Sequence, residues 1–228
     1  MSAGASATKP RAIVSWSSGK DSAFALHALR ASDEFEIVAL FTTVNATHDR
    51  VAMHAVRREL LRAQARSARL PLWEVDIPSP CSNELYEEAM RGLIARAVGE
   101  GVEVVAFGDL FLADIRRYRE ERLAGTGVRP VFPLWQLPTA ELAERMLAEG
   151  LSAVLTCVDP KQLDPSFAGR TFDAAMLADL PAGVDPCGEN GEFHTFVTRG
   201  PMLAEPLGVE VGPRVERDGF VFADVRLA

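Results

Sequence analysis

Residues 16–22 read Trp-Ser-Ser-Gly-Lys-Asp-Ser, and this stretch decides the fold that we predict for the chain. An apolar run at residues 12–14 precedes it and helix-forming residues at 23–29 follow it, an order typical of strand, tight turn and helix. The small residues of the turn leave backbone N–H groups at the start of the helix, where the helix dipole is positive. Such a turn is a site for an anion, and phosphate is the ligand that it favours.

Lys20 and three serines add charge and hydroxyl donors to this turn. Few of the 24 basic residues are lysines, so a chain that otherwise uses arginine keeps a compact ammonium at Lys20. Ser17, Ser18 and Ser22 supply hydroxyl groups that can donate to phosphate oxygens. The turn lacks the Walker pattern, because Val14 stands where that pattern requires glycine. The alternative is an ordinary strand-to-helix turn with a serine or aspartate cap.

Length, charge and cysteine usage limit the class of protein. The 228 residues suffice for one large domain or two small ones with a hydrophobic core. The net charge of -8 argues against strong nucleic-acid binding, which needs clustered positive charge. No apolar stretch has the length of a membrane span, so we expect no membrane partner. The scattered cysteines do not form a zinc pattern, and they favour a cytoplasmic location.

Strand and helix patterns alternate through the first two-thirds of the chain. Apolar runs predict strands at residues 36–43, 72–76 and 102–107. Helical spacing and breaking residues predict helices at about 53–69 and 82–99. This alternation is typical of an α/β domain, a parallel sheet with helices on both faces.

Polar or small residues stand where the predicted strands end. Because ligands of such sheets lie beyond the carboxyl ends of the strands, we expect the serine turn, Thr42, Gly108 and Asp109 to border one crevice. Arg116 and Arg119 then share a face of a predicted helix. They either face the crevice and neutralise phosphates or a substrate carboxylate, or belong to a solvated helix with Glu–Arg pairs.

The glycine-rich residues 125–127 predict a boundary between a domain at 1–128 and a smaller one at 129–228. In the second domain we predict a helix at 140–149 and a strand at 151–158. Alternating residues around an Asp-Gly pair predict a hairpin at 209–227.

A second chemical motif lies at residues 185–196, where carboxylates, an amide, a thiol and an imidazole crowd into one loop. Glu189 and Glu192 could hold Mg²⁺ or bind a cationic substrate group. His194 is of the residue type that titrates near neutrality, so it could move a proton, although a lone His beside phenylalanines is often structural. Cys187 has no visible basic neighbour or helix start, so we interpret it as a structural thiol.

The order of these motifs resembles the diphthine–ammonia ligase (diphthamide synthetase) family of N-type ATP pyrophosphatases. The shared features are the serine turn, Gly108-Asp109 with the arginines behind it, and the stretch Cys-Gly-Glu-Asn-Gly-Glu-Phe-His-Thr at 187–195. The similarity covers roughly residues 13–225. It implies a Rossmann-like nucleotide-binding domain of the adenine nucleotide alpha hydrolase type, followed by a smaller α/β domain that carries the second motif.

The resemblance implies an ATP-dependent ligase that activates a carboxylate as an acyl-adenylate, releases pyrophosphate and amidates the carboxylate with ammonia. It implies Mg²⁺ as the metal, bound by Asp21. The catalytic residues that it implies are Lys20, Asp21, Glu189, Glu192 and His194. The nucleotide-binding residues that it implies are Ser17, Ser18, Gly19, Lys20, Asp21, Ser22, Thr42, Gly108, Asp109, Arg116 and Arg119.

The acceptor of the amide is open at this point. The resemblance implies diphthine, a modified histidine of an elongation factor, whereas the Arg- and Ala-rich composition indicates a divergent bacterial branch acting on a small metabolite. Two other functions remain: an ATP-binding sensor without turnover, and an ATP pyrophosphatase that modifies RNA. The apolar hairpin also leaves a homodimer open.

Overall fold

The computed structural model of the protein describes residues 8–45, 50–51 and 56–228. The first part of the chain forms β1 (Arg11–Ser15), α1 (Lys20–Ser32), β2 (Glu36–Asn45), β3 (Arg50–Val51), α2 (Arg58–Ala68), β4 (Leu72–Ile77), α3 (Asn83–Gly99), β5 (Val104–Ala106), α4 (Ala113–Leu123) and β6 (Arg129–Val131). The remainder forms α5 (Thr139–Ala148), β7 (Ser152–Val158), β8 (Thr171–Phe172), α6 (Ala174–Ala178), β9 (Phe193–Arg199), β10 (Val209–Arg217) and β11 (Phe220–Leu227).

The first sheet is the parallel sheet that the alternating pattern predicts. Its parallel strands lie in the order β4-β2-β1-β5-β6, and the short β3 pairs antiparallel with β2. Ala12, Ile13 and Val14 of β1 are fully buried, because helices cover both faces of the sheet. The chain progresses outward from β1 to β4 and then returns to β5 on the other side of β1. The carboxyl ends of β1 and β5 therefore form the switch point of the sheet, where a ligand crevice is expected.

The predicted helices are present with small changes at their ends. α3 begins after Ser82, whose hydroxyl accepts a hydrogen bond from the Leu85 N–H and caps the helix. α2 ends one residue before the predicted end, and its predicted beginning at 53–55 lies outside the described residues.

Among the described residues the second sheet is antiparallel and has five strands, one fewer than the first. Its strands follow the order β10-β11-β7-β8, and β9 pairs with β7. The predicted tail hairpin is confirmed as β10 and β11, joined at Asp218 and Gly219 with φ angles of 53° and 80°. Two positive φ angles in a two-residue loop match the right-handed twist of the hairpin strands.

The two parts of the chain share one hydrophobic core. Phe24 and Leu26 of α1 belong to the same buried cluster as Leu155 of β7 and Phe196 of β9. β6 follows the boundary that we predict after residue 128, yet it pairs with β5 in the first sheet. Among the described residues, no helix combines the length and the apolar character that crossing a membrane requires.

Candidate functional site

The serine turn connects β1 to α1 and is folded by its own hydroxyl groups. The Oγ atoms of Ser17 and Ser22 lie 3.1 Å apart, and Ser22 Oγ donates to the carbonyl of Gly19 at 3.0 Å. The Gly19 N–H donates to Ser17 Oγ at 3.3 Å. Ser18 adopts a φ of 70°, a conformation that favours glycine, so its backbone must be held by other contacts. Gly19 provides no side-chain cap for α1, which leaves the first turn of the helix suited to an external anion.

Gly108 fixes the distance between the two strand ends at the switch point. A Cβ atom added at Gly108 would lie 2.8 Å from the Asp21 carbonyl carbon and 2.8 Å from the Ser22 nitrogen. Both atoms are backbone and cannot rotate away. Glycine is therefore required for the end of β5 to pass against the first turn of α1, and this contact places Gly108 beside the serine turn as predicted.

Gln64 of α2 and strand β9 hold the backbone of the serine turn. The Gln64 Nε2 group donates to Ser18 O at 3.0 Å and to Val197 O at 2.7 Å, while its Oε1 accepts from Trp16 Nε1 at 3.0 Å. The Val197 N–H also donates to Ser18 O at 3.0 Å. The side chain of Gln64 is fully buried and satisfied by these bonds. They supply the restraint that the positive φ of Ser18 requires.

Lys20 is buried at the meeting point of the two sequence motifs. Its backbone N–H donates to Thr195 Oγ1 at 3.1 Å, and its ammonium donates to Asp21 Oδ2 at 2.9 Å and to the Cys187 carbonyl. The ammonium lies 5.4 Å from the ring centroid of Phe193, and the side chain is only 2% exposed. Burial lowers the pKa of Lys20, but the charge and hydrogen bond of Asp21 outweigh burial and hold that pKa above its ordinary value. Lys20 therefore lies beneath the turn, buried from solvent.

The two carboxylate oxygens of Asp21 differ in their hydrogen bonding. Its Oδ2 accepts from Lys20, whereas its Oδ1 is buried without a hydrogen-bond partner among the described groups. Burial raises the pKa of the Asp21 carboxyl, against the opposing charge of Lys20. A buried acceptor of this kind fits a cation. Within residues 8–45, 50–51 and 56–228 no group of three or more His, Cys, Asp or Glu side chains could hold a metal. One carboxylate still fits Mg²⁺, which proteins commonly bind through one or two carboxylates together with substrate phosphates.

The second motif folds on two internal carboxylates. Asp185 Oδ1 accepts from the N–H groups of Cys187 and Glu189 at 2.8 and 3.2 Å. Glu192 Oε1 accepts from the N–H of Asp185 and the side chain of Asn190 at 3.0 Å each, and its Oε2 accepts from the Asn190 N–H at 2.9 Å. Glu192 is 2% exposed. Both oxygens of Glu192 therefore hold the loop together, and its predicted catalytic role stays a prediction.

Glu189 reaches from the second motif to the switch point of the first sheet. Its Oε1 accepts from the Leu110 N–H at 2.9 Å, two residues beyond Gly108. Burial raises the pKa of the Glu189 carboxyl to about 7, although the Leu110 hydrogen bond lowers it and the charge of Asp21 adds to the rise. Glu189 thus changes protonation near neutral pH, whereas the sequence predicted such a titration for His194.

His194 and Cys187 do not titrate in the neutral range. Burial lowers the pKa of His194 to about 4, and the charge of Lys20 acts in the same direction. This corrects the expectation that His194 titrates near neutrality, so at pH 7 it is a neutral imidazole. Burial raises the pKa of the Cys187 thiol to about 12. The thiol donates to the Thr139 carbonyl, in agreement with the structural role predicted for it.

Asp109 and Arg119 form a pair of their own. Arg119 Nε and Nη2 donate to the two carboxylate oxygens of Asp109 at 2.6 and 3.0 Å. The guanidinium also lies 4.2 Å from the ring centroid of Phe107. The expectation that Arg119 neutralises phosphates is corrected in one respect, since its charge is compensated by Asp109.

Arg116 packs on aromatic rings, and Thr42 lies inside the strand beside the start of the turn. The Arg116 guanidinium lies 4.9 Å from the ring of Phe132 and 4.7 Å from that of Trp135, and its Nε donates to Glu120 at 2.7 Å. Arg116 is thus part of a Glu–Arg-paired helix, as the simpler alternative held. Thr42 is buried inside β2, which continues to Asn45, but the carbonyl of the preceding Phe41 accepts from the Trp16 N–H at 2.7 Å, so Thr42 lies beside the start of the turn.

Sequence reasoning missed the residues that join the two motifs. Gln64 lies in an amphipathic helix pattern in which a buried glutamine is indistinguishable from an exposed one. Thr195 and the Leu110 N–H act through long-range contacts that no local pattern records. The Ser18 hydroxyl, which the sequence did predict as a donor, is buried and has no hydrogen-bond partner among the described groups.

Family models match both parts of the chain. The model described as "Diphthamide synthase N-terminal domain" matches residues 10–130, and "Diphthamide synthase C-terminal domain" matches residues 139–223. The first match ends at the last strand of the parallel sheet and the second begins at α5.

Curated relatives carry the same family name. The diphthine–ammonia ligase of Rattus norvegicus is 30% identical over 151 residues, which cover 64% of this chain and 56% of the rat protein. The diphthine–ammonia ligase of Homo sapiens is 26% identical over 232 aligned residues, which cover 92% of this chain and 86% of the human protein. The alignment therefore spans about half of the rat protein and most of the human one.

Proposed function

This chain belongs to the diphthamide synthase family, and on that premise we propose that it is an ATP-dependent ligase that amidates a carboxylate with ammonia. The reaction has two steps. The carboxylate attacks the α-phosphorus of ATP, the bond to the β-phosphate breaks, and pyrophosphate leaves with its electrons. Ammonia then attacks the acyl carbon, and AMP leaves as the amide forms.

One observation carries the proposal: the two motifs meet at Lys20. The serine turn supplies Lys20 and Asp21, and the second motif supplies Thr195, the Cys187 carbonyl and Glu189. A phosphate turn alone would support many nucleotide-binding functions. Contact between this turn and a loop that carries a titrating carboxylate supports a two-step reaction with an acid–base step.

The serine turn has the parts that the first step needs. Adenylation concentrates negative charge on phosphate, so catalysis depends on fixed donors and positive charge. The hydroxyls of Ser17 and Ser18 and the N–H groups that follow Lys20 in the first turn of α1 are the donors, since Ser22 Oγ donates to Gly19 and the Lys20 N–H donates to Thr195. Lys20 provides the charge from below the turn. Asp21 Oδ1 would hold Mg²⁺, which when bound neutralises phosphate charge.

Glu189 has the part that the second step needs. Ammonium is not a nucleophile until it loses a proton. Near neutral pH the Glu189 carboxylate accepts that proton, and the resulting ammonia forms the C–N bond while the C–O bond to AMP breaks. The remaining extra proton on nitrogen passes to water. His194, neutral at this pH, lines the loop without supplying charge.

The test is analysis of nucleotide products with a panel of carboxylic acids that includes diphthine-bearing elongation factor. Protein with Mg-ATP and ammonium is expected to form AMP and pyrophosphate only with its acceptor. Lys20→Met should lower that rate by about 10²- to 10³-fold, as expected for loss of one preorganised charge. Lys161→Met removes an exposed lysine outside the site and should leave the rate unchanged. ADP as product, or full activity of Lys20→Met, would contradict the proposal, and ATP binding without turnover on any acid would favour a sensor.

A further inference from the structure

Strand β9 of the second sheet lies against the serine turn along one edge. Among the described residues β9 pairs with β7 alone, so its other edge has no strand beside it. Both backbone groups of Val197 point to that edge, since its N–H donates to Ser18 O at 3.0 Å and its carbonyl accepts from Gln64 Nε2 at 2.7 Å. The serine turn therefore occupies the place that a further strand would take beside β9.

Thr195 lies two residues before Val197 and contacts the first residue of α1. Its Oγ1 accepts a hydrogen bond from the Lys20 N–H at 3.1 Å. A Cβ atom added at Gly19 would lie 3.3 Å from the Thr195 carbonyl oxygen and 3.5 Å from Thr195 Oγ1, so the strand and the turn pack with little space between them. Thr195 is only 2% exposed, and its hydroxyl group is therefore shielded from water.

Thr195 supplies the cap that α1 lacks in its own stretch of sequence. Helices commonly begin after a Ser, Thr, Asp or Asn whose side chain accepts an N–H group of the first turn. Gly19 stands at that position and makes no side-chain bond of this kind. Thr195, which lies 175 residues further along the chain, accepts the Lys20 N–H instead. The N–H groups that follow in the first turn are then the ones that suit an anion.

The same hydrogen bond fixes the backbone from which the Lys20 side chain extends. The ammonium group of Lys20 donates to the Cys187 carbonyl and lies 5.4 Å from the ring centroid of Phe193, so residues of the second motif hold it as well. The second motif thus holds both the backbone and the side chain of Lys20. A change at Thr195 therefore alters how the serine turn sits against the motif that carries Glu189.

We propose that Thr195 is a positioning residue of the ligase, whose hydroxyl group holds the first turn of α1 in the orientation that binds the phosphates of ATP. The inference rests on the proposed function and adds a residue of the second motif to nucleotide binding. A turn that is already ordered binds more tightly than one that the ligand must order, so loss of the hydroxyl lowers affinity. The strand that follows the Glu189 loop in this way also sets the affinity for ATP.

Isothermal titration calorimetry with Mg-ATP tests this role in Thr195→Val, which keeps the shape of the side chain and removes the hydroxyl group. We expect the dissociation constant for Mg-ATP to rise by about tenfold, in the range that loss of one hydrogen bond gives. Thr195→Ser restores the hydroxyl and should bind within about twofold of the parent chain. Thr156→Val is the matched control, since Thr156 is a buried threonine of β7 whose hydroxyl donates to the His194 carbonyl at 3.4 Å.

Thermal unfolding of the same variants separates positioning from a purely structural role. Each valine variant loses one buried hydrogen bond, so a structural role would lower both melting temperatures and leave the two Mg-ATP affinities equal. Equal affinities, or a Thr195→Ser variant that binds as weakly as Thr195→Val, would overturn the inference. Thr195→Ala repeats the measurement should Thr195→Val fail to fold. Absence of Mg-ATP binding by the parent chain would contradict the proposed function itself, whereas parent binding that Thr195→Val retains in full would contradict only the role of Thr195.

Discussion

The two loops of the site are built in different ways. The serine turn is shaped by backbone packing, with Gly108 pressed against the start of α1 and Gln64 holding the carbonyl of Ser18. The second loop is shaped by its own carboxylates, because Asp185 and Glu192 accept the hydrogen bonds that fold it. The first loop presents donors and positive charge, and the second presents Glu189. The proposed function assigns one half of the reaction to each loop.

Gln64→Leu removes the side chain that holds the serine turn, and we expect it to have the largest effect on stability. It leaves Val197 O and Trp16 Nε1 buried without partners, at about 1–3 kcal/mol each, so the free energy of unfolding should fall by about 2–6 kcal/mol. Urea denaturation measures this loss. Gln162→Leu, at an exposed position, should change stability by about 0.5 kcal/mol or less. A loss no larger than that of the control would mean that β9 alone holds the turn.

Gly108→Ala comes next and tests the close backbone packing behind the serine turn. The added methyl would lie 2.8 Å from backbone atoms of Asp21 and Ser22, so the turn must shift. We expect a loss of about 1–3 kcal/mol and weaker Mg-ATP binding. Gly92→Ala is the control, because nothing lies within 4 Å of its added methyl, and alanine there should stabilise α3 by about 1 kcal/mol. Normal ATP binding by Gly108→Ala would indicate that the serine turn does not bind the nucleotide.

Glu192→Gln tests whether the second loop is held by its own carboxylates. The amide nitrogen replaces an oxygen that accepts a hydrogen bond from the loop, so stability should fall by about 1–3 kcal/mol. Thermal unfolding monitored by circular dichroism measures the change. If Glu192→Gln is as stable as the parent chain but inactive, Glu192 acts in catalysis as the sequence first suggested.

Much of this arrangement follows from the sequence, and the rest depends on contacts between distant residues. The alternation of patterns predicts the parallel sheet, and the Asp-Gly pair predicts the tail hairpin, because both features are local. The burial of Lys20 is not local, since it depends on Cys187 and Phe193 from the far end of the chain. The protonation of His194 and Glu189 likewise depends on burial, which changes pKa values and cannot be predicted from the local sequence. The ion pair between Asp109 and Arg119 compensates a positive charge that the sequence left available for phosphate.

Glu189→Gln tests the raised pKa of Glu189, because its effect on stability should depend on pH. Burial raises the pKa of Glu189 to about 7, so the folded chain binds this proton more tightly than the unfolded chain does. The stability that it contributes is present below the ordinary pKa of glutamate and is lost as pH rises through about 7. Glutamine does not ionise, so the variant does not lose this stability as the pH rises. Denaturation of both chains between about pH 5 and 8 should show the parent losing stability relative to the variant, and parallel curves would contradict the raised pKa.

The most direct test of the account is to separate the two half-reactions in Glu189→Gln. Acid-dependent exchange of pyrophosphate into ATP reports adenylation at the serine turn, and amide formation from ammonium reports the second step. The account predicts exchange within about twofold of the parent chain and amide formation lower by about 10²-fold or more, with the parent's amide rate rising through about pH 7. An equal fall in both rates, or no fall in amide formation, would contradict the division of labour between the two loops.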